Sequence, residues 1–291
     1  MKVLVFGATG QLGKQLLRWQ PADIELLTPS KFELDFYSGS KVCDYILQHA
    51  PTWVINAAGY TNVDQAETDK TVASTVNHGG PTCLAWACGF TGSKLLHIST
   101  DYVFDGTSST PYEIDDAPNP INYYGHTKLQ GERAIQDIMR SSAYCILRSS
   151  WLYSPFRKNF FKTVFDSLVR NKDLSIVDDQ IGRPTSASAL ASVCWSIIES
   201  DTTGLFHYGE APAMSWYDFA MNIRGIMERS KLYDKLGSVD PISTEQHGSR
   251  ALRPAYSALS NIELSKVIAL PNESWETSLT NTFYDYILPV T

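Results

Sequence analysis

The chain has 291 residues, of which 43% are hydrophobic, and 24 Lys+Arg against 31 Asp+Glu leave a formal charge of −7. That composition provides a sizeable core and argues against a disordered chain, and the acidic balance argues against nucleic acid as a partner. Five cysteines with no Cys-x-x-Cys (Cys43, Cys83, Cys88, Cys145, Cys194) indicate neither a disulfide framework nor a zinc knuckle, and read as small buried hydrophobes.

Lys2 to Phe6 is a short β-branched and apolar run ending at glycine, the pattern of a strand buried on both faces. Leu12, Leu16 and Leu17 then recur at helical spacing between Gln11 and Trp19. Ile24 to Leu27 predicts a second strand, Ser40 to His49 a helix, Trp53 to Ala58 a third strand, Leu84 to Cys88 part of a helix, and Lys94 to Ser99 a fourth strand. A helix follows near Tyr124 to Met139, then a strand from Tyr144 to Arg148. This alternation predicts an α/β fold, a Rossmann-like doubly wound parallel sheet. Gly79, Gly80 and Pro81 are poor helix-interior residues, so irregular backbone is expected there. After about Ser150 the rhythm changes. Helices are expected over 159–169, 186–198 and 215–227, and extended segments over 175–177 and 204–208, with Pro241, Pro254 and loops beyond. The expected organisation is a dinucleotide-binding domain over 1–150 and a smaller, partly interleaved substrate lobe over 151–291. No apolar run approaches the ~20 residues of a membrane span and no charged leader with a cleavage site opens the chain, so a cytoplasmic location is expected with no membrane partner.

Gly7-Ala8-Thr9-Gly10-Gln11-Leu12-Gly13 joins the first strand to the first helix. The first glycine permits a tight turn, the second lets a pyrophosphate approach backbone amides, and the third lets the helix pack closely. The helix N-terminus adds positive partial charge. Thr9, Gln11 and Leu12 share this turn and join the expected cofactor contacts. At the end of the second strand, Leu27-Thr28-Pro29-Ser30-Lys31 offers no acid to grip a ribose hydroxyl. Ser30 and Lys31 are instead candidates to receive a 2′-phosphate, which favours NADPH and leaves NADH open; Lys31 is equally readable as a solvated lysine. Asp35 and Phe36 are expected near the adenine. Ala57 and Ala58 follow the next buried strand, where small side chains leave room for the cofactor.

Tyr124 and Lys128 stand four residues apart and so share one helical face. An ammonium beside a phenol favours the phenolate and makes the phenol a better acid. Thr100 or Ser99 supplies a hydroxyl to hold a substrate carbonyl. Tyr123 lies five residues from the lysine and is the poorer partner. The histidines show no metal-ligand spacing, and no metal is expected.

The segments Gly-Ala-Thr-Gly-Gln-Leu-Gly (7–13), Asn-Ala-Ala-Gly-Tyr-Thr-Asn-Val-Asp-Gln-Ala-Glu (56–67), Ser-Thr-Asp-Tyr-Val-Phe-Asp-Gly (99–106), Tyr-Gly-His-Thr-Lys-Leu-Gln-Gly-Glu (124–132), Arg-Ser-Ser-Trp-Leu-Tyr (148–153), Asp-Gln-Ile-Gly-Arg-Pro-Thr (179–185) and Arg-Pro-x-x-Ser-x-Leu (253–259) run nearly end to end. Together they resemble the extended short-chain dehydrogenase/reductase family, and within it the dTDP-4-dehydrorhamnose reductase branch. The resemblance implies NADPH-dependent reduction of the 4-keto group of a dTDP-sugar. By carry-over Tyr124 donates the proton, Lys128 tunes it and holds the ribose, and Thr100 orients the carbonyl. Tyr60 and Asn77 join the cofactor set, Asn77 as support for Lys128. Thr61, Val63, Asp101, Tyr102 and Trp151 belong to the substrate side, and Arg253 meets the diphosphate. Ser188 stands where some members carry a glutamate serving a magnesium-bridged dimer, which leaves a homodimer open. Gly248-Ser249-Arg250-Ala251 and His126 also depart from the usual pattern. The same superfamily contains epimerases and dehydratases, and a non-catalytic regulatory subunit of methionine adenosyltransferase; these are the alternative readings.

Overall fold

The structure is a computed structural model and describes residues 1–30 and 32–288. Its centre is a six-stranded, wholly parallel sheet formed by β1 (Lys2–Phe6), β2 (Glu25–Leu27), β3 (Trp53–Asn56), β4 (Lys94–Thr100), β5 (Tyr144–Ser149) and β6 (Gly204–Tyr208), in the spatial order β6-β5-β4-β3-β1-β2. The chain winds outward from β1 to β2, then returns to the other side of β1 with β3. That reversal opens a crevice at the C-terminal ends of β1 and β3, the usual ligand position in such sheets.

Helices cover both faces because alternate strand residues point to opposite sides. Val3, Val5 and Ile55 pack with residues of α1 (Gln11–Arg18) and α6 (Ala187–Glu199). Leu4, Phe6 and Val54 pack with residues of α2 (Gly39–His49), α3 (Gly80–Thr91) and α4 (Tyr123–Ile138). Through the middle of β1 and β3 both faces are apolar, which is why these strands read as continuous apolar runs.

A second core lies beyond residue 150. α5 (Phe160–Val169), α7 (Trp216–Ser230) and α8 (Trp275–Ile287) enclose Tyr153, Phe161, Phe165, Phe219, Ile223, Leu279 and Phe283. Ser215 starts α7 with a full capping box, its hydroxyl accepting from the Asp218 N–H while the Asp218 side chain accepts from the Ser215 N–H. Leu174–Val177 and Val239–Ile242 pair in parallel as a separate two-stranded ribbon. The sequence reading put loops where Val239–Ile242 and α8 lie. Pro241 hid the strand, since proline cannot donate to a ladder and survives only in edge positions such as this one. α6 and β6 belong to the central sheet layer although they follow residue 150.

The irregular backbone expected at 79–81 has a definite form. Thr75–Gly79 is a π-helical turn running directly into α3, with Pro81 in that helix's first turn. The wider turn carries Asn77, which is buried.

Candidate active site

The C-terminal ends of β1, β3, β4 and β5 open into a cleft of about 530 Å³ lined by the starts of the connections that follow them. Its floor on the β1 side is the glycine turn. Gly7 has φ +84, and a Cβ there would lie 2.7 Å from the Ala57 backbone. A Cβ on Gly13 would overlap the Gly7 carbonyl and Ala8. Those two glycines therefore let the turn close and α1 pack; they support the cleft from behind. Gly10, Gln11 and Leu12 line it. Gly10 caps α1 with no side-chain hydrogen bond, and the first turn has no acidic residue. The first amides of α1 are thus free for an anion, and the helix dipole favours one. Arg157 and Lys158, which the sequence reading passed over, line the same wall, and Arg157 Nε donates to the Thr9 carbonyl at 2.8 Å. Two adjacent cations in a loop of an acidic chain were the signal available for them.

Ala57, Ala58, Thr61 and Val63 line the cleft from the β3 side. Ser30, Asp35, Phe36, Tyr60 and Asn77 lie outside its lining. Asp35 Oδ1 accepts from the Tyr37 and Ser38 amides at 3.0 and 3.1 Å, shaping the entry to α2. Phe36 stacks on Phe6 with ring centroids 5.4 Å apart. The segment after β2 does hold an acid: Glu33 folds back so that its Oε2 accepts from the Ser30 amide at 2.6 Å. Reading 27–31 alone missed that carboxylate. Lys31 lies outside the described residues. Asn77 makes its contacts elsewhere than expected. Its Oδ1 accepts from the Tyr60 amide at 2.8 Å, and its Nδ2 donates to the Tyr60 carbonyl at 3.0 Å and to Thr127 Oγ1 at 3.1 Å. It braces the β3 loop against α4, with no hydrogen bond to Lys128.

Tyr124, Lys128 and Thr100 all line the cleft. Asn122 fixes the start of α4, its side chain accepting from the Gly125 amide at 2.8 Å and donating to the Leu252 carbonyl at 2.9 Å. Tyr123 turns away to bond Ser74 at 2.8 Å. The Tyr124 phenol is pushed up to about 12, chiefly by burial; the Thr100 hydroxyl bonded to it pulls the other way, and the Asp101 carboxylate adds to the rise. The Lys128 ammonium is not among the causes of this shift. Lys128 Nζ donates to the Ile98 carbonyl at 2.6 Å and stands 3.4 Å from His97 Nε2. Burial brings Lys128 down to about 8, with Glu132 opposing. His97, fully buried on β4, also contacts Asn56 at 3.0 Å, and desolvation and the Lys128 charge hold it neutral. Its role as a neighbour of the lysine had no signal in the linear sequence.

Asp101 and Tyr102, expected on the substrate side, both line the cleft. The Asp101 carboxyl is buried, its Oδ1 accepting from Thr100 at 3.0 Å and its Oδ2 from Ser257 at 2.6 Å. Desolvation pushes it up to about 7, against the pull of these bonds. The serine of the Arg-Pro-x-x-Ser segment thereby reaches the hydroxyl beside Tyr124 through one carboxyl group. Tyr102 lies edge-on to Tyr124, ring centroids 5.9 Å apart.

At the far wall Trp151 adopts φ +47, an uncommon conformation for a bulky residue, and its indole stacks on Trp216 at 3.4 Å and 3°. Trp151 Nε1 and Ser149 Oγ are buried without a hydrogen-bond partner among the described residues. Trp216 and Phe160 link this wall to a second pocket of about 200 Å³, which also contains Arg253, Ser249 and His247. Arg253 pairs with Asp64 at 2.8 Å and bonds Ser249, and Asp64 also accepts from the Ala251 amide. Trp216, Phe160 and Asp64 were absent from the sequence reading.

The family model described as RmlD substrate binding domain matches residues 1–287. The chain belongs to the dTDP-4-dehydrorhamnose reductase family. A dTDP-4-dehydrorhamnose reductase from Aggregatibacter actinomycetemcomitans is 36% identical over 96% of this chain and 97% of its own length. A dTDP-4-keto-6-deoxy-D-glucose reductase from Streptomyces niveus is 34% identical over 96% and 95%. Among solved structures, the dTDP-4-dehydrorhamnose reductase from Bacillus anthracis in complex with NADP superposes with a TM-score of 0.90, at 34% identity over 98% of this chain and 99% of that one. Membership of this reductase family makes the chain an oxidoreductase with a Rossmann-type fold. Among the described residues no cluster of His, Cys, Asp and Glu is arranged to hold a metal, and no helix is long and apolar enough to cross a membrane.

Proposed function

We propose that this chain uses NADPH to reduce the 4-keto group of dTDP-4-dehydro-L-rhamnose to dTDP-L-rhamnose, with Tyr124 as proton donor. The observation that carries the reading is the meeting of Thr100, Tyr124 and Lys128 in one cleft whose adjoining wall is the uncapped N-terminus of α1. Reductases of dTDP-ketosugars and a relative solved with NADP support the substrate class and the cofactor. In this reading residues 1–150 supply most of the dinucleotide site and 151–291 the substrate lobe.

The residues fit the cofactor: free helix amides, Arg157 and Lys158 suit a pyrophosphate, and Lys128 suits ribose hydroxyls. When bound, NADPH supplies the hydride. The protein's own task is the proton and the placement of the ketone. Tyr124 presents its hydroxyl to the carbonyl oxygen, and Thr100, once released from Asp101 Oδ1, presents a second. A phenol held neutral by burial keeps its proton until an alkoxide, a far stronger base, forms against it. Lys128, anchored on Ile98, adds positive charge near the developing anion. Trp151 sits beside the sugar, and Arg253 in the adjoining pocket offers a guanidinium suited to a diphosphate.

The test is an assay following NADPH loss with dTDP-4-dehydro-L-rhamnose. Oxidation of one NADPH per ketosugar is expected. No oxidation with either NADPH or NADH would reject the reading, and isomerised sugar without cofactor loss would move the chain to the epimerases.

A further inference from the structure

Two cysteines that look isolated in the sequence meet in space. Cys43 on α2 and Cys83 on α3 bring their Sγ atoms to 3.2 Å, across a separation of 40 residues. A disulfide needs about 2.05 Å, so roughly 1 Å of approach separates the thiols from a bond. Both are free and half-buried, whereas Cys88, Cys145 and Cys194 are buried. Cys83 donates its S–H to the Gly39 carbonyl at 3.1 Å, and burial and the hydrogen bond with Cys43 push it up to about 12. It therefore keeps its proton, which leaves Cys43 as the sulfur that meets an oxidant first.

The surroundings tie this pair to the cleft. Three residues before Cys83, Gly80 lies against the Phe36 ring, and Phe36 stacks on Phe6 at the end of β1, directly before the glycine turn. Drawing α2 onto α3 would squeeze Phe36 between Gly80 and Phe6.

We propose that Cys43 and Cys83 form an oxidation site which a peroxide closes to a disulfide, and that closure weakens NADPH binding. The Cys43 sulfur attacks one peroxide oxygen as its thiol gives up its proton, the O–O bond breaks, and Cys43 becomes a sulfenic acid while the departing hydroxide takes that proton as water. The Cys83 sulfur then attacks the Cys43 sulfur. The S–S bond forms, the S–O bond breaks, and the departing hydroxide takes the Cys83 proton as a second water. Two thiols are oxidised by two electrons and the peroxide is reduced. The second half of the proposal rests on the NADPH reading above.

The full chain is treated with hydrogen peroxide, quenched, denatured and mapped without reduction, and NADPH affinity is measured on the same sample. Loss of two of the five thiols is expected, with a cross-linked peptide pair containing Cys43 and Cys83 and a rise in NADPH Kd of about threefold or more. Dithiothreitol should reverse both changes, and Cys43→Ser and Cys83→Ser should each show neither. All five thiols still titrating, or oxidation of either cysteine without a cross-link, would overturn the site. A cross-link with unchanged NADPH affinity would overturn the switch. If the reduced chain binds no NADPH, the cofactor reading fails, while the peptide map still decides the disulfide.

Discussion

At the scale of single residues, Tyr124 is a phenol that burial keeps protonated through the neutral range, pushed up to about 12. Its replacement by phenylalanine removes the proton and keeps the ring. We expect Tyr124→Phe to lower kcat by about 10²–10⁴-fold while NADPH affinity, read by fluorescence titration, stays within a factor of about two. Lys128 titrates in a more accessible range. Its ammonium, brought down to about 8, is present below that pH and lost above it. If the cation serves the reaction, kcat/KM falls as pH rises through about 8; a pH–rate profile that stays level there would show that a neutral amine suffices. Ser257 acts one step further back. Ser257→Ala leaves Asp101 Oδ2 without the 2.6 Å bond that holds it. We expect a loss of about 1–3 kcal/mol in urea unfolding, lower kcat and little change in NADPH affinity, with Ser257→Thr restoring kcat. An alanine variant with full kcat would separate Asp101 from the positioning of Thr100.

At the scale of elements, the glycine turn and the π-helical turn show two ways in which local sequence constrains the cleft. In the first, a glycine pattern between strand and helix sufficed to predict the turn, because the steric need for missing side chains is local. Gly13→Ala should cost about 1–3 kcal/mol or more, since its Cβ meets backbone that cannot swing aside. A urea midpoint equal to that of the parent would show that α1 can back away from the strand. In the second, Gly79-Gly80-Pro81 announced a disturbance but not its shape. The structure resolves it as a π-helical turn over Thr75–Gly79. That turn points Asn77 at Tyr60 and Thr127, and the expected support of Lys128 falls instead to Ile98 and His97. The spacing of Tyr124 and Lys128 predicted a shared face correctly, but a face says nothing about which backbone carbonyl the lysine will find.

At the scale of the whole molecule, the sheet is pinned by a buried ion pair. Glu132 on α4 accepts from Arg148 on β5 at 2.7 Å, and both side chains are almost fully buried. Ser99 on β4 also donates to Glu132, and Arg148 reaches His207 on β6 at 3.2 Å. Desolvation and the Arg148 charge bring His207 down to about 3, so it is neutral, with Nδ1 at 3.0 Å from the Tyr112 carbonyl it serves as donor. Removing one member strands the other charge in the interior. Glu132→Ala is expected to destabilise the chain by about 3–5 kcal/mol, read from chemical denaturation. A cost below about 1 kcal/mol would mean that water reaches Arg148.

The sequence by itself determined what depends on neighbours along the chain. Apolar periodicity marked the six strands of the sheet and most of the long helices. Glycine sterics marked the turn between β1 and α1, and a four-residue spacing put Tyr124 and Lys128 together. The tertiary structure alone decided the contacts that join distant segments. Arg253 meets Asp64 across 189 residues and Ser257 meets Asp101 across 156. Trp151 finds Trp216, and Cys43 finds Cys83. Such pairs leave no periodic trace, because each side chain alone reads as an ordinary surface or core residue. Their partners are fixed only when β strands, helices and the tail are packed, and with them the charge, burial and hydrogen bonding that set the chemistry of the cleft.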